Sequence, residues 1–224
     1  MKRRFSLQVL FLAVAVMFAL VPASRADVVT IGVSVNGGPT IALAVGPLGL
    51  ASFGPGPVGG GFTVQASGTG SPTLNEPSFL TNSINVSSTT GGNLIVYVTE
   101  QGLTSPTGVN SFLSSFTTNL FTGSATSTTL STYIDTGNGL FSGTLLASTT
   151  FTPPGLTVNA ISNTPALGPG PYSETTAYSI NFGAGVGSVN STIQIAAVPE
   201  PASMLLLGTG LIGLGGAVRR RWVK

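Results

Sequence analysis

Apolar residues recur at every second position in short runs along most of this chain. Ile31, Val33 and Val35 alternate with Gly32 and Ser34, and Phe62, Val64 and Ala66 with Thr63 and Gln65. Ile84 and Val86 flank Asn85. Tyr178, Ile180 and Phe182 alternate with Ser179 and Asn181, and Ile193 and Ile195 with Thr192 and Gln194. Successive strand side chains point to opposite faces, so each run predicts a strand with one buried and one wet face. Residues 94–98, Leu-Ile-Val-Tyr-Val, are apolar on both faces and read as a central strand. Turn-forming clusters separate the runs, among them Asn-Gly-Gly-Pro at 36–39, Gly-Pro-Gly-Pro at 54–57 and Gly-Pro-Gly-Pro at 168–171. Many short strands with frequent turns predict an all-β fold, an antiparallel β-sandwich of jelly-roll-like type.

One stretch reads two ways. Val109, Phe112, Leu113, Phe116, Leu120 and Phe121 fit one face of a helix, while the intervening Ser and Thr lower helix propensity. Helix and strand both stay open there. Residues 117–132 are dominated by Ser and Thr. They read as a strand pair with a hydroxyl-rich outer face, or as a target for O-linked sugars.

The two ends differ from the middle. Lys2, Arg3 and Arg4 precede an apolar stretch from Val9 to Val21, Pro22 breaks it, and Ser24 and Ala26 are the small residues of a cleavage site. This is the pattern of a secretory signal helix over 1–26, cut between Ala26 and Asp27 by signal peptidase. At the other end Val198, Pro199, Glu200 and Pro201 precede 17 uncharged residues, 202–218, and then Arg219, Arg220 and Arg221. As a helix that run is about 26 Å long, at the short limit for a bilayer. Its five glycines are better tolerated in a membrane than in a water-soluble helix. The three arginines act as a membrane stop on the cytoplasmic side. The expected division is a signal peptide at 1–26, an extracellular domain at 27–197, and a sorting and transient anchor segment at 198–224.

The order of Pro199-Glu200-Pro201, Ala202-Ser203, a Leu/Gly-rich span and an Arg cluster resembles the PEP-CTERM sorting signal of Gram-negative bacteria. That resemblance implies an exported protein held briefly in the inner membrane, processed by an exosortase and delivered to the cell surface or a biofilm matrix. The span 75–198 also resembles, more loosely, the uncharacterised extracellular domains that precede such tails. No catalytic residues carry over from that likeness.

The chain's pI of 9.3 describes the ends rather than the middle. All eight Lys and Arg residues lie at 2–4, 25 and 219–224. Between Asp27 and Val198 there are five acids (Asp27, Glu76, Glu100, Asp135 and Glu174) and no base, a side-chain charge of −5. The basic footprint of a nucleic-acid binder is missing. The chain has no Cys and no His. Disulfides, Cys/His zinc sites, and Ser-His-Asp or Cys-His nucleophile pairs are excluded. What is left for catalysis is a carboxylate pair of the glycosidase type, for which Glu100 and Glu174 are candidates.

The remaining motifs weigh toward structure. Asp135-Thr-Gly-Asn-Gly139 offers oxygens for calcium but lacks the ligand run and closing Glu of an EF-hand, and it reads as a tight turn. Asn85-Val-Ser87 and Asn190-Ser-Thr192 fit the N-linked acceptor pattern, a frequent chance match. Tyr97, Tyr133, Tyr172 and Tyr178 suit sugar stacking or a core. The sequence therefore predicts no catalytic residues, no metal and no cofactor. It points to a non-catalytic surface or matrix protein, whose expected partners are signal peptidase, exosortase and exopolysaccharide. A carbohydrate-binding module built on Tyr and carboxylates is the alternative, ahead of a carboxylate-based glycan hydrolase.

Overall fold

A computed structural model describes residues 27–74, 77–108, 111–154, 157–163 and 167–198, and Thr209. The signal helix, the apolar C-terminal helix and Glu76 lie outside the described residues. Among the described residues no helix is long and apolar enough to cross a membrane. They form ten strands: β1 (Val28–Val35), β2 (Ile41–Gly46), β3 (Leu50–Gly59), β4 (Phe62–Thr69), β5 (Phe79–Ser88), β6 (Gly92–Leu103), β7 (Ser111–Asp135), β8 (Thr144–Phe151), β9 (Thr157–Asn163) and β10 (Tyr172–Val198). Every pairing between them is antiparallel.

Two strands are long enough to serve two layers. Residues 172–182 of β10 pair with β6 on one side and with residues 125–135 of β7 on the other. Residues 187–198 of β10 pair instead with β5 and with residues 111–123 of β7. The first layer is therefore β2-β1-β6-β10-β7-β8 and the second β3-β4-β5-β10-β7-β9. The register breaks between Phe182 and Gly187 in β10, opposite residues 123–125 of β7. A single sheet thus folds over on itself along this line.

Glycine permits the fold line because two backbones must nearly touch there. A Cβ at Gly123 (φ 58°) would lie 2.1 Å from the Val186 carbonyl oxygen. One at Gly91 (φ 91°), in the turn from β5 to β6, would lie 2.4 Å from the Gly183 oxygen. No side chain fits either space.

Inward-facing residues of the two layers form one core. Val29, Ile31, Val33, Leu94, Val96 and Val98 come from the first layer, and Phe62, Val64, Ile84, Val86, Phe112 and Phe116 from the second. Phe62 meets Phe182 across the layers, with ring centroids 5.9 Å apart. The core also takes in hydroxyls. Ser114 and Thr132 hydrogen-bond across the layers at 2.7 Å, Thr118 bonds Ser191 at 3.1 Å, and Thr81 bonds Tyr178 and the Ile193 carbonyl. Burial with a partner removes most of the penalty of desolvating a hydroxyl.

This arrangement settles the stretch that read two ways. Residues 111–121 are strand, not helix, and 117–132 belong to one continuous strand rather than a strand pair. Its hydroxyls are not all outward. Thr118, Thr128 and Thr132 are buried.

Candidate functional site

The outer faces of the two layers differ. Residues 136–143, between β7 and β8, fold across the first layer. The Phe141 ring fills the place a side chain at Gly32 would occupy, and it meets Tyr97 with centroids 5.6 Å apart. The Phe141 amide donates to Thr99 Oγ1, the Ser173 hydroxyl to the Gly139 carbonyl, and Gln101 Nε2 to the Asn138 carbonyl. Thr99 and Thr175, although outward-facing, are buried beneath this strap.

Asp135 organises the strap. Its Oδ1 accepts from the Gly137 amide at 2.7 Å and its Oδ2 from the Ser142 hydroxyl at 2.6 Å. These bonds, Ser142's first, hold its carboxyl below the usual range. Both oxygens serve a turn. Among the described residues no three His, Cys, Asp or Glu side chains are placed to hold a metal ion. A carboxyl with a lowered pKa adds stability above its unfolded pKa and loses it as pH falls through the folded value. Strap amides such as that of Phe141 should therefore lose protection, measured against the intrinsic exchange rate at each pH, below about pH 4. Asp135→Ala should show this loss of protection at neutral pH and lose the pH dependence. Exchange that stays slow in the variant would show that Asp135 does not hold the strap.

Among the described residues no strap crosses the second layer's outer face. Four amides on four neighbouring strands form a ladder across it. Asn119 (β7) donates to Asn190 (β10) at 2.7 Å, Asn190 to Asn85 (β5) at 2.6 Å, and Asn85 to Gln65 (β4) at 3.4 Å. Two shallow clefts flank the Gln65–Asn85 rung. One, of about 180 Å³, is walled by Ser52, Phe53, Ser67 and Ser83. The other, of about 120 Å³, is walled by Pro55, Thr63, Ser87, Leu120 and Ser188. Hydroxyls, amides and a few apolar side chains surround the ladder, and none of the residues lining either cleft is charged.

The residues singled out in sequence fall elsewhere. Glu100 and Glu174 are directly opposed on β6 and β10, but both are fully buried at the end of the core away from the fold line. The Ser71 amide donates to Glu100 Oε1 at 2.5 Å. Asp27 is buried at the same end, and its carbonyl accepts from the Gly49 amide. Tyr178 is in the core, where burial raises its phenol pKa well above the ordinary range. Tyr172 is also buried and donates to the Ser105 carbonyl at 2.6 Å. Tyr97 faces the strap; burial first, and then Tyr133 nearby, raises its pKa. Among the described residues, Tyr172, Tyr178, Asp27, Glu100 and Glu174 are buried and present no outer surface, whereas Tyr97 and Tyr133 are half-buried side by side at the strap. Val198 is the last residue of β10 and pairs with Ser111. Ala26, Pro199, Glu200, Pro201, Arg219, Arg220 and Arg221 lie outside the described residues.

The ladder escaped the sequence reading although its signal was present. Gln65 and Asn85 occupy the outward positions of alternating strands, and Asn85 and Asn190 are the two apparent glycosylation acceptors. They lie 105 residues apart, and only strand pairing brings them together.

Residues 197–221 match the PEP-CTERM protein-sorting motif. No curated protein matches the chain in sequence. Among solved structures, the C-terminal CBM6 of the laminarinase LamC from Zobellia galactanivorans is 20% identical (TM-score 0.28, 50% of this chain and 79% of that one). The CBM22-1 xylan-binding domain of Xyn10C from Paenibacillus barcinonensis is 13% identical (TM-score 0.31, 68% and 87%). The K3 adhesin domain of Lys-gingipain from Porphyromonas gingivalis is 16% identical (TM-score 0.32, 50% and 74%). Likenesses this slight carry no argument about ligand or activity.

Proposed function

From the PEP-CTERM motif at 197–221, which implies an exported protein sorted at a membrane, we propose a non-catalytic surface or extracellular-matrix protein. In this reading residues 1–26 are a signal peptide removed between Ala26 and Asp27, and 27–197 are the delivered domain, a jelly-roll-like sandwich. Residues 198–224 are the sorting tail. Val198, Pro199, Glu200 and Pro201 present the motif to an exosortase, and Arg219, Arg220 and Arg221 stop the tail at the inner membrane.

The motif match carries the proposal, and the fold supports it. The motif begins at 197, where the last strand ends at Val198, so a cut beyond Val198 leaves the pairings of β10 in place. Every cation of the chain lies outside 27–198, so removing both ends leaves an acidic domain. Two carboxylates that a glycan hydrolase could use, Glu100 and Glu174, are sealed in the core.

Intact-mass spectrometry of the protein recovered from the surface and medium of its host tests this. The expected product starts at Asp27 and has lost the Arg cluster, and cells without exosortase should hold a species that keeps its tail in the membrane fraction. Full-length protein found uncut in the cytoplasm overturns the reading.

A further inference from the structure

The geometry points to the outer face of the second layer as a binding surface for a neutral oligosaccharide chain, held at the Gln65–Asn85 rung with one sugar unit in each flanking cleft. This deepens the matrix-protein reading and rests on it for the ligand's source.

A pyranose presents hydroxyls at its rim and C–H groups on its faces. The surface offers both complements. A primary amide has two N–H donors and two acceptor positions. The ladder takes one acceptor position from Gln65, and one donor and one acceptor from Asn190. Gln65 is exposed and lines both clefts. Apolar walls stand beside the amides, Phe53 in one cleft and Pro55 with the 46% exposed Leu120 in the other. Apolar walls with a few placed polar groups are the usual lining of a ligand site.

Charge selects the class of glycan. No Lys, Arg or His occurs between residues 27 and 198, and the five acids there give the domain a net negative charge. A uronate- or sulfate-bearing polymer would find no cation to pair with. A neutral chain needs only the hydrogen bonds and apolar contacts that the face provides. The first layer is the internal contrast. Its amide row, Asn93 to Asn181 at 3.0 Å and Asn181 to Ser127 at 3.1 Å, lines neither of these two clefts.

The test uses the processed protein recovered from cells, titrated by NMR and calorimetry with neutral gluco-, galacto- and xylo-hexaoses and with a uronate hexamer. At least one neutral hexaose should bind, shifting the signals of Gln65, Asn85 and Phe53, and the uronate should not. Gln65→Ala should weaken binding about tenfold, the scale of a lost neutral hydrogen bond. Asn190→Ala, a second variant within the ladder, should also weaken it, with the melting temperature of Gln65→Ala unchanged. Asn93→Ala on the other face should bind as the native protein does. The inference is overturned if no neutral hexaose binds the folded protein, if the uronate binds as well, or if Asn93→Ala loses as much as Gln65→Ala. An exported, processed protein that binds nothing sinks this inference alone, whereas one that binds but stays in the cytoplasm sinks the matrix reading alone.

Discussion

Gly91→Val is expected to leave little folded protein. Gly91 has φ 91°, where a β-branched residue is a genuine outlier. Such backbone strain costs about 1–3 kcal/mol before any contact is considered. The new Cβ would also lie 2.4 Å from the Gly183 carbonyl oxygen and 3.1 Å from Ala184 Cα. Those atoms are backbone at the bend of β10, so no flexible side chain can swing aside. Relief requires moving the turn between β5 and β6 away from the long strand that both layers share. Overpacking of this kind adds about 1–3 kcal/mol or more. Together these terms consume a large part of the 5–15 kcal/mol by which a domain is ordinarily stable. Gly170→Ala is the matched control, since a Cβ there meets nothing within 4 Å. Soluble yield and melting temperature report the result. A Gly91→Val protein that melts within a few degrees of the native one would show that the fold line is not closely packed.

The same fold line marks where the sequence stopped being readable. Alternation places 62–66, 84–86, 178–182 and 193–195 in strands with the observed faces inward, because a period of two fixes which side is buried, whereas in the strand at 31–35 the expected wet face, Gly32 and Ser34, is buried as well. It does not tell a bend from a turn. Gly123 and the glycines at 183, 185 and 187 look like strand ends, yet β7 and β10 run through them. The helical reading fails over 111–121 for a related reason. Leu113 and Leu120 face outward, while Ser114 and Thr118 are inside, bonded to Thr132 and Ser191. A pattern scored on apolarity counts two outward leucines and misses two inward hydroxyls. Glu100 was legible in principle. It shares parity with Leu94, Val96 and Val98, which marks it as interior. The amide ladder was not, because register between strands far apart in sequence sets it.

Phe62→Ala is expected to cost about 3–5 kcal/mol, the usual range for deleting a buried aromatic ring. The ring is 1% exposed at the start of β4, and it reaches across the core to Phe182. It also packs under the fold line, where a Cβ at Gly92 would come within 3.4 Å of it. The backbones around it are held together by the bends of the sheet, so the hole cannot readily collapse. For a domain of this size the loss corresponds to a fall of about 6–20 °C in melting temperature. Leu145→Ala on edge strand β8 removes a 52% exposed side chain and should change stability by no more than about 0.5 kcal/mol. Equal effects of the two substitutions would mean that the layers do not share this core. A double-mutant cycle with Phe182→Ala separates the ring contact from general burial. Rings at 5.9 Å and 52° should show a coupling of about 0.5–1.5 kcal/mol. Zero coupling would place the two rings apart, and with them the halves of the sheet that the fold line brings face to face.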